Sequence, residues 1–146
     1  MSRRRSVLFA LLAGWFILGG LPRAAYALDL PKTDATILGY WQRGEGEAII
    51  QVRRQADGCH GIIVASERRP ETVGIEVFRD LRFDEEAGSW HGRAYSIKRK
   101  REVPIDIEVP EADSLELTAH ILIFKKRVKF KRIPDAQAAG LQLAER

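Results

Sequence analysis

Val103-Pro104-Ile105-Asp106-Ile107-Glu108-Val109 is followed, after a turn at 110–114, by Leu115-Glu116-Leu117-Thr118-Ala119-His120-Ile121. In both runs every second residue is apolar. Successive side chains of a strand point to opposite faces, so each run lays one face on a core and the other in water. Pro110, Glu111 and Asp113 supply the turn chemistry between them. Pro104 falls on the outer face, which suits a strand start or an edge.

The same alternation recurs on either side. Leu38–Arg43, Ala48–Arg54, Cys59–Ala65, Gly74–Phe83, Trp90–Ile97 and Arg127–Ile133 read as further strands, separated by turn residues such as Ala56-Asp57-Gly58 and Glu85–Ser89. No useful helical period appears between Gly39 and Ile133. Eight strands with short connections make an antiparallel up-and-down meander. Closure into a small all-β barrel removes its exposed edges, and a two-layer sandwich is the alternative. The barrel domain is expected over 38–133, after a leader at 28–37. The tail at 134–146 is rich in Ala, Gln and Leu and is read as a frayed terminus rather than a helix.

The first 27 residues read as an export segment. Arg3, Arg4 and Arg5 precede an uncharged, mostly apolar stretch from Val7 to Leu21, and Ala25-Tyr26-Ala27 offers small residues for cleavage after Ala27. The stretch is short for a membrane span and ends at Pro22-Arg23. The expected location is therefore periplasmic or secreted. Of 146 residues, 24 are Lys or Arg and 20 are Asp or Glu. Removing Arg3, Arg4, Arg5 and Arg23 leaves 20 cations against 20 acids, so bulk charge does not support nucleic-acid binding. With one cysteine, Cys59, no intramolecular disulfide can form.

Gly39-Tyr40-Trp41, Gly58-Cys59-His60-Gly61-Ile62-Ile63-Val64, Trp90-His91-Gly92-Arg93-Ala94-Tyr95 and Phe130-Lys131-Arg132-Ile133 resemble, in order and spacing, the strands of an uncharacterised bacterial exported family, domain of unknown function 2147. The chain departs from that family at Lys98-Arg99-Lys100-Arg101, where an Asp-Pro turn and a Gly are usual, and at Phe130, commonly Trp. The resemblance implies a small lipocalin-like barrel in the periplasm and no settled reaction. In such barrels an early Trp is covered by an Arg of the last strand, which assigns a structural role to Trp41 and Arg132.

Several residues are candidates for function. Ile50, Val52, Ile75 and Val77, with Ile105, Ile107, Leu115 and Leu117, are expected to line the interior and meet a small apolar or amphipathic ligand. Arg79 is the one charged member of the row Ile75, Val77, Leu81, Phe83. Either it meets an anionic ligand group, or a bulge at 78–80 turns it outward, the commoner outcome in barrels. His60, His91 and His120 share no metal-ligand spacing and are read as solvated. No nucleophile–base arrangement or phosphate loop is present, so no catalytic residue, metal or cofactor is assigned and an enzyme is not expected. A cationic surface is formed by Lys98, Arg99, Lys100 and Arg101 at a hairpin tip and by Lys125, Lys126, Arg127, Lys129 and Lys131 along the last strand. The alternative function is an envelope module whose cationic strand face meets anionic lipid, lipopolysaccharide or a partner protein.

Overall fold

The computed structural model describes residues 33–44 and 47–144. The export segment and the first part of the leader lie outside the described residues. Eight antiparallel strands pair in sequence order and close on themselves: β1 (Gly39–Gln42), β2 (Ile49–Gln55), β3 (Gly58–Ala65), β4 (Glu76–Asp84), β5 (Ser89–Ser96), β6 (Arg101–Glu111), β7 (Ser114–Ile121) and β8 (Phe124–Ile133). The seam joins β1 to β8, with Trp41 opposite Arg132. The chain is thus a closed barrel and not a sandwich.

Strict alternation in β6 and β7 survives intact: Val103, Ile105, Ile107 and Val109, and Leu115, Leu117 and Ala119, are all buried. Pro104 lies inside β6 opposite Arg93 of β5, while the ladder to β7 begins at Ile105. It therefore occupies an edge-like position within a closed sheet.

One end of the barrel is solid. Trp41, Trp90, Leu81, Cys59, Ile105, Ile107 and Leu115 all pack there with at most 1% exposure. Residues 33–37 of the expected leader belong to this end: a 3-10 turn, Asp34–Ile37, buries Ile37, whose carbonyl accepts a bond from Trp41 Nε1 at 2.8 Å. The Arg132 guanidinium lies 4.1 Å from the Trp41 ring centroid. It also donates to Thr36 O, Leu38 O and Ala112 O, each at 2.7 Å. One side chain thereby ties β8 to the entry of β1 and to the β6–β7 turn.

The tail corrects the expectation of fraying. It forms α1 (Asp135–Ala144), which buries Ala138 against Ile49, Ala65 and Ile133 on the outside of the barrel. No long apolar stripe marks the tail as a docked helix, because one small residue facing a ready-made patch suffices to dock it.

Candidate functional site

The other end of the barrel is hollow. In strands β1, β3, β5 and β7 the chain runs toward this end, so the β1–β2, β3–β4, β5–β6 and β7–β8 connections surround its opening. The cavity measures about 730 Å³ and is walled by apolar side chains, among them Ile50, Ile63, Val77, Leu117, Val128 and Phe130. This volume lies within the ~300–1,000 Å³ typical of small-molecule pockets. The cause is visible along the inward rows. Toward the mouth they carry Ala48, Ala94 and Ala119, whereas Trp41 and Trp90 sit in the solid half.

The expected lining is divided by this arrangement. Ile50, Val77 and Leu117 wall the cavity. Val52, Ile105, Ile107 and Leu115 instead fill the solid core, one or two inward positions further down the same strands. Ile75 is half-buried in the connection before β4 and does not wall the cavity. Ala94, Val103, Ala119, Ile121, Val128 and Phe130 complete the wall, and their alternation with polar neighbours marks them as inward-facing. Phe78 breaks the alternation.

Phe78 and Arg79 have a common explanation. Register shifts flank Gly61 in the β3–β4 ladder, and Val77 and Phe78 are both buried. A Cβ on Gly61 would lie 2.6 Å from Phe78 Cδ2, so the missing side chain is the slot that Phe78 occupies. A further irregularity follows between Arg79 and Arg82, with Asp80 in a left-handed conformation at φ 52°. Gly92 admits this bulge, since its Cβ would lie 2.7 Å from Arg79 O. Arg79 is consequently turned to the outer face and does not line the cavity. There it pairs with Glu102 at 2.6 Å and Glu76 at 3.4 Å, its guanidinium 5.9 Å from the Tyr95 ring centroid. Arg93 joins the same ladder through Glu102 and Asp80. Its bond to Asp80 holds that carboxyl below, and raises its own guanidinium above, the ordinary values.

The mouth carries the polar chemistry. Arg43, Arg68, Arg69, Lys98, Arg99 and Lys126 stand on the cavity's rim with a single acid, Glu47. Glu47 pairs with Arg43 at 3.2 Å and Arg68 at 3.6 Å. Lys126 shares the inward phase of Val128 and Phe130, which brings a residue of the cationic surface to the cavity edge. Lys100, Arg101, Lys125 and Arg127 are exposed close by. Lys129 and Lys131 lie farther down the outside of β8, where Lys129 is paired with Glu116 at 3.1 Å.

The histidines are less independent than their spacing implied. His91 Nδ1 donates to Asp106 Oδ1 at 2.6 Å and His120 Nε2 to Asp106 Oδ2 at 2.5 Å, across β5, β6 and β7 on the outer face. Partial burial pushes the Asp106 carboxyl up, but the bonds from His120 and His91 outweigh it and hold the carboxyl below its usual value. In the unfolded chain it titrates near the ordinary ~3.9. Its contribution is therefore present above about pH 4 and is lost as pH falls through the lower folded value. At this exposure it is worth no more than about 1 kcal/mol. The stability gap between the parent and Asp106→Asn, read by urea unfolding, is expected to narrow below about pH 4 and to close in stronger acid. A gap that widens there would contradict the assignment.

Neither a protein-family model nor a curated protein sequence matches the chain. Among solved structures, protein HP1028 from the human pathogen Helicobacter pylori, described as belonging to the lipocalin family, is similar in fold, with a TM-score of 0.56. The two are 14% identical, over 72% of this chain and 88% of that one. A lipocalin-like barrel is the common ground.

Proposed function

We propose that the protein is a non-enzymatic carrier outside the cytoplasm, binding a small amphipathic ligand with its apolar body in the cavity and an anionic group at the rim. The observation that carries this reading is the hollow apolar half-barrel beneath six rim cations and one acid. An apolar chain entering it leaves water at about 25 cal/mol per Å² of buried surface, and a carboxylate at its end meets guanidinium and ammonium donors. The lipocalin-like neighbour supports the architecture, and the ordered motifs from Gly39-Tyr40-Trp41 to Phe130-Lys131-Arg132-Ile133 support kinship with domain of unknown function 2147. The export reading rests on residues 1–27.

Paired native and denaturing mass spectrometry of protein recovered from exporting cells tests all of this. The expected denatured mass begins at Leu28, and one beginning at Met1 overturns export. A discrete native excess would give the size of a retained ligand. Displacement of an environment-sensitive naphthylamine probe completes the test. Dodecanoate is expected to displace it at a concentration at least about tenfold below dodecanol at low ionic strength. Equal potency would remove the anionic preference, and failure of the probe itself to bind would remove the cavity reading.

A further inference from the structure

The large apolar residues exposed on the described part of the molecule are Val73, Leu122, Ile123 and Phe124, and all four lie at the open end, the first three in connections and Phe124 at the start of β8. Three of them are consecutive at the tip of the β7–β8 hairpin, where Leu122, Ile123 and Phe124 are 89%, 87% and 69% exposed. Ile121 pairs with Phe124, so the turn has two residues, and Leu122 holds a left-handed φ of 54°. Turns of this kind ordinarily take Gly, Asn or Asp at such a position. A leucine there is unfavourable both for its backbone and for its exposure, which is the pattern of a contact residue rather than a turn residue.

Charge is sorted along the same axis. Among the described residues the four connections at the mouth carry Arg43, Arg68, Arg69, Lys98, Arg99 and Lys100, against Glu47, Glu67 and Glu71, and Arg101, Lys125, Lys126 and Arg127 follow in the first residues of β6 and β8. The three connections at the solid end carry Asp57, Glu85, Glu86 and Asp113 and no cation; Asp84 and Glu111 end the adjoining strands, and Arg54 and Arg82 stand one and two residues inside them. Among the described residues no carboxylate pairs with Lys125, Lys126 or Arg127.

From this juxtaposition we infer that the protein docks mouth-first on an anionic lipid bilayer, with Leu122, Ile123 and Phe124 entering the interface and the basic loops meeting the head groups. An apolar tip collared by cations matches a surface whose anionic plane overlies hydrocarbon. A second copy meeting it mouth to mouth offers the same sign of charge and is repelled, and the acidic solid end of another copy exposes no large apolar side chain among the described residues to receive the tip. A hydrated polyanion provides nothing for the three apolar side chains to enter. The docking differs from contact through the outer face of β8, since Lys129 there is already paired. It also stands without the ligand reading, because none of the three tip residues walls the cavity.

Sedimentation with vesicles tests it, using protein recovered from exporting cells. At low ionic strength the protein is expected to sediment with vesicles containing roughly one-third phosphatidylglycerol, at least about tenfold more tightly than with pure phosphatidylcholine. Leu122→Asn/Ile123→Ser/Phe124→Ser and, separately, Lys125→Glu/Lys126→Glu are each expected to weaken binding to the anionic vesicles about tenfold or more. In Phe124→Trp, emission is expected to shift to the blue on adding those vesicles. Parent protein that ignores anionic vesicles overturns the proposal and leaves the surface to an acidic protein. Parent-like binding by both multiple variants, with no shift in Phe124→Trp, also overturns it. The naphthylamine probe separates this from the ligand reading, because the tip variant is expected to keep parent affinity for it.

Discussion

Arg132→Ala is expected to lower the stability of the barrel by about 3 kcal/mol, the largest single-residue effect outside the apolar core. The guanidinium makes three bonds to carbonyl oxygens of 2.7 Å each and covers the Trp41 indole at 4.1 Å. Bonds to a charged donor contribute about 1.5–3 kcal/mol each in favourable settings, and the indole stack about 0.5–2 kcal/mol. Water reaching the exposed carbonyl of Ala112 offsets part of the sum. Burial lowers the Arg132 pKa, the nearby Asp135 and Asp113 charges acting against this, yet a guanidinium remains cationic at any ordinary pH. The urea midpoint should fall without a change in slope. Arg132→Lys should recover less than half the loss, because an ammonium cannot span three divergent carbonyls while stacking on a ring. A loss below about 1 kcal/mol for the alanine variant would show that the latch is ornamental.

Ala119→Trp is expected to abolish binding of apolar ligands, raising the probe's dissociation constant at least about tenfold, with the urea midpoint unchanged or higher. Ala119 is buried on the inward face of β7 and walls the cavity between Leu117 and Ile121. An indole there projects into open space rather than into packed neighbours, so overpacking strain is avoided. Thr118→Trp, one residue away on the outer face, is the control and should leave the probe's affinity intact. Equal affinity in Ala119→Trp would mean that ligands bind elsewhere.

The architecture was legible because binary alternation is a backbone property. Strands β6 and β7 show it without interruption, and seven short connections leave little freedom beyond closure. The site was only half legible. Parity says which residues face inward, and so Ile50 and Leu115 look alike. What separates them is height along the axis, which depends on the stagger of all eight strands. Had the inward rows been compared by volume, Ala94 and Ala119 at one end and Trp41 and Trp90 at the other would have pointed to a barrel filled at one end. The outward turn of Arg79 was only one of two readings, and the inward Phe78 was not foreseen, for a different reason. A bulge costs the sequence only one residue, and its enabling partners, Gly61 and Gly92, lie on other strands. The sharing of Asp106 by His91 and His120 was likewise hidden, because cross-strand neighbours have no sequence spacing to recognise.

The β1–β8 seam also constrains when the molecule can form. Arg132 reaches Leu38 and Thr36 across 94 and 96 residues of chain. Bringing the ends of such a loop together costs about 4 kcal/mol in closure entropy beyond the length-independent part. Pairing β2 through β8 in succession can proceed locally, but the latch can engage only after the final strand has been synthesised and laid down. Until then β1 and β7 present bare strand edges, the surfaces most prone to join those of other chains. Maturation of this barrel is therefore a race between its own last strand and its neighbours.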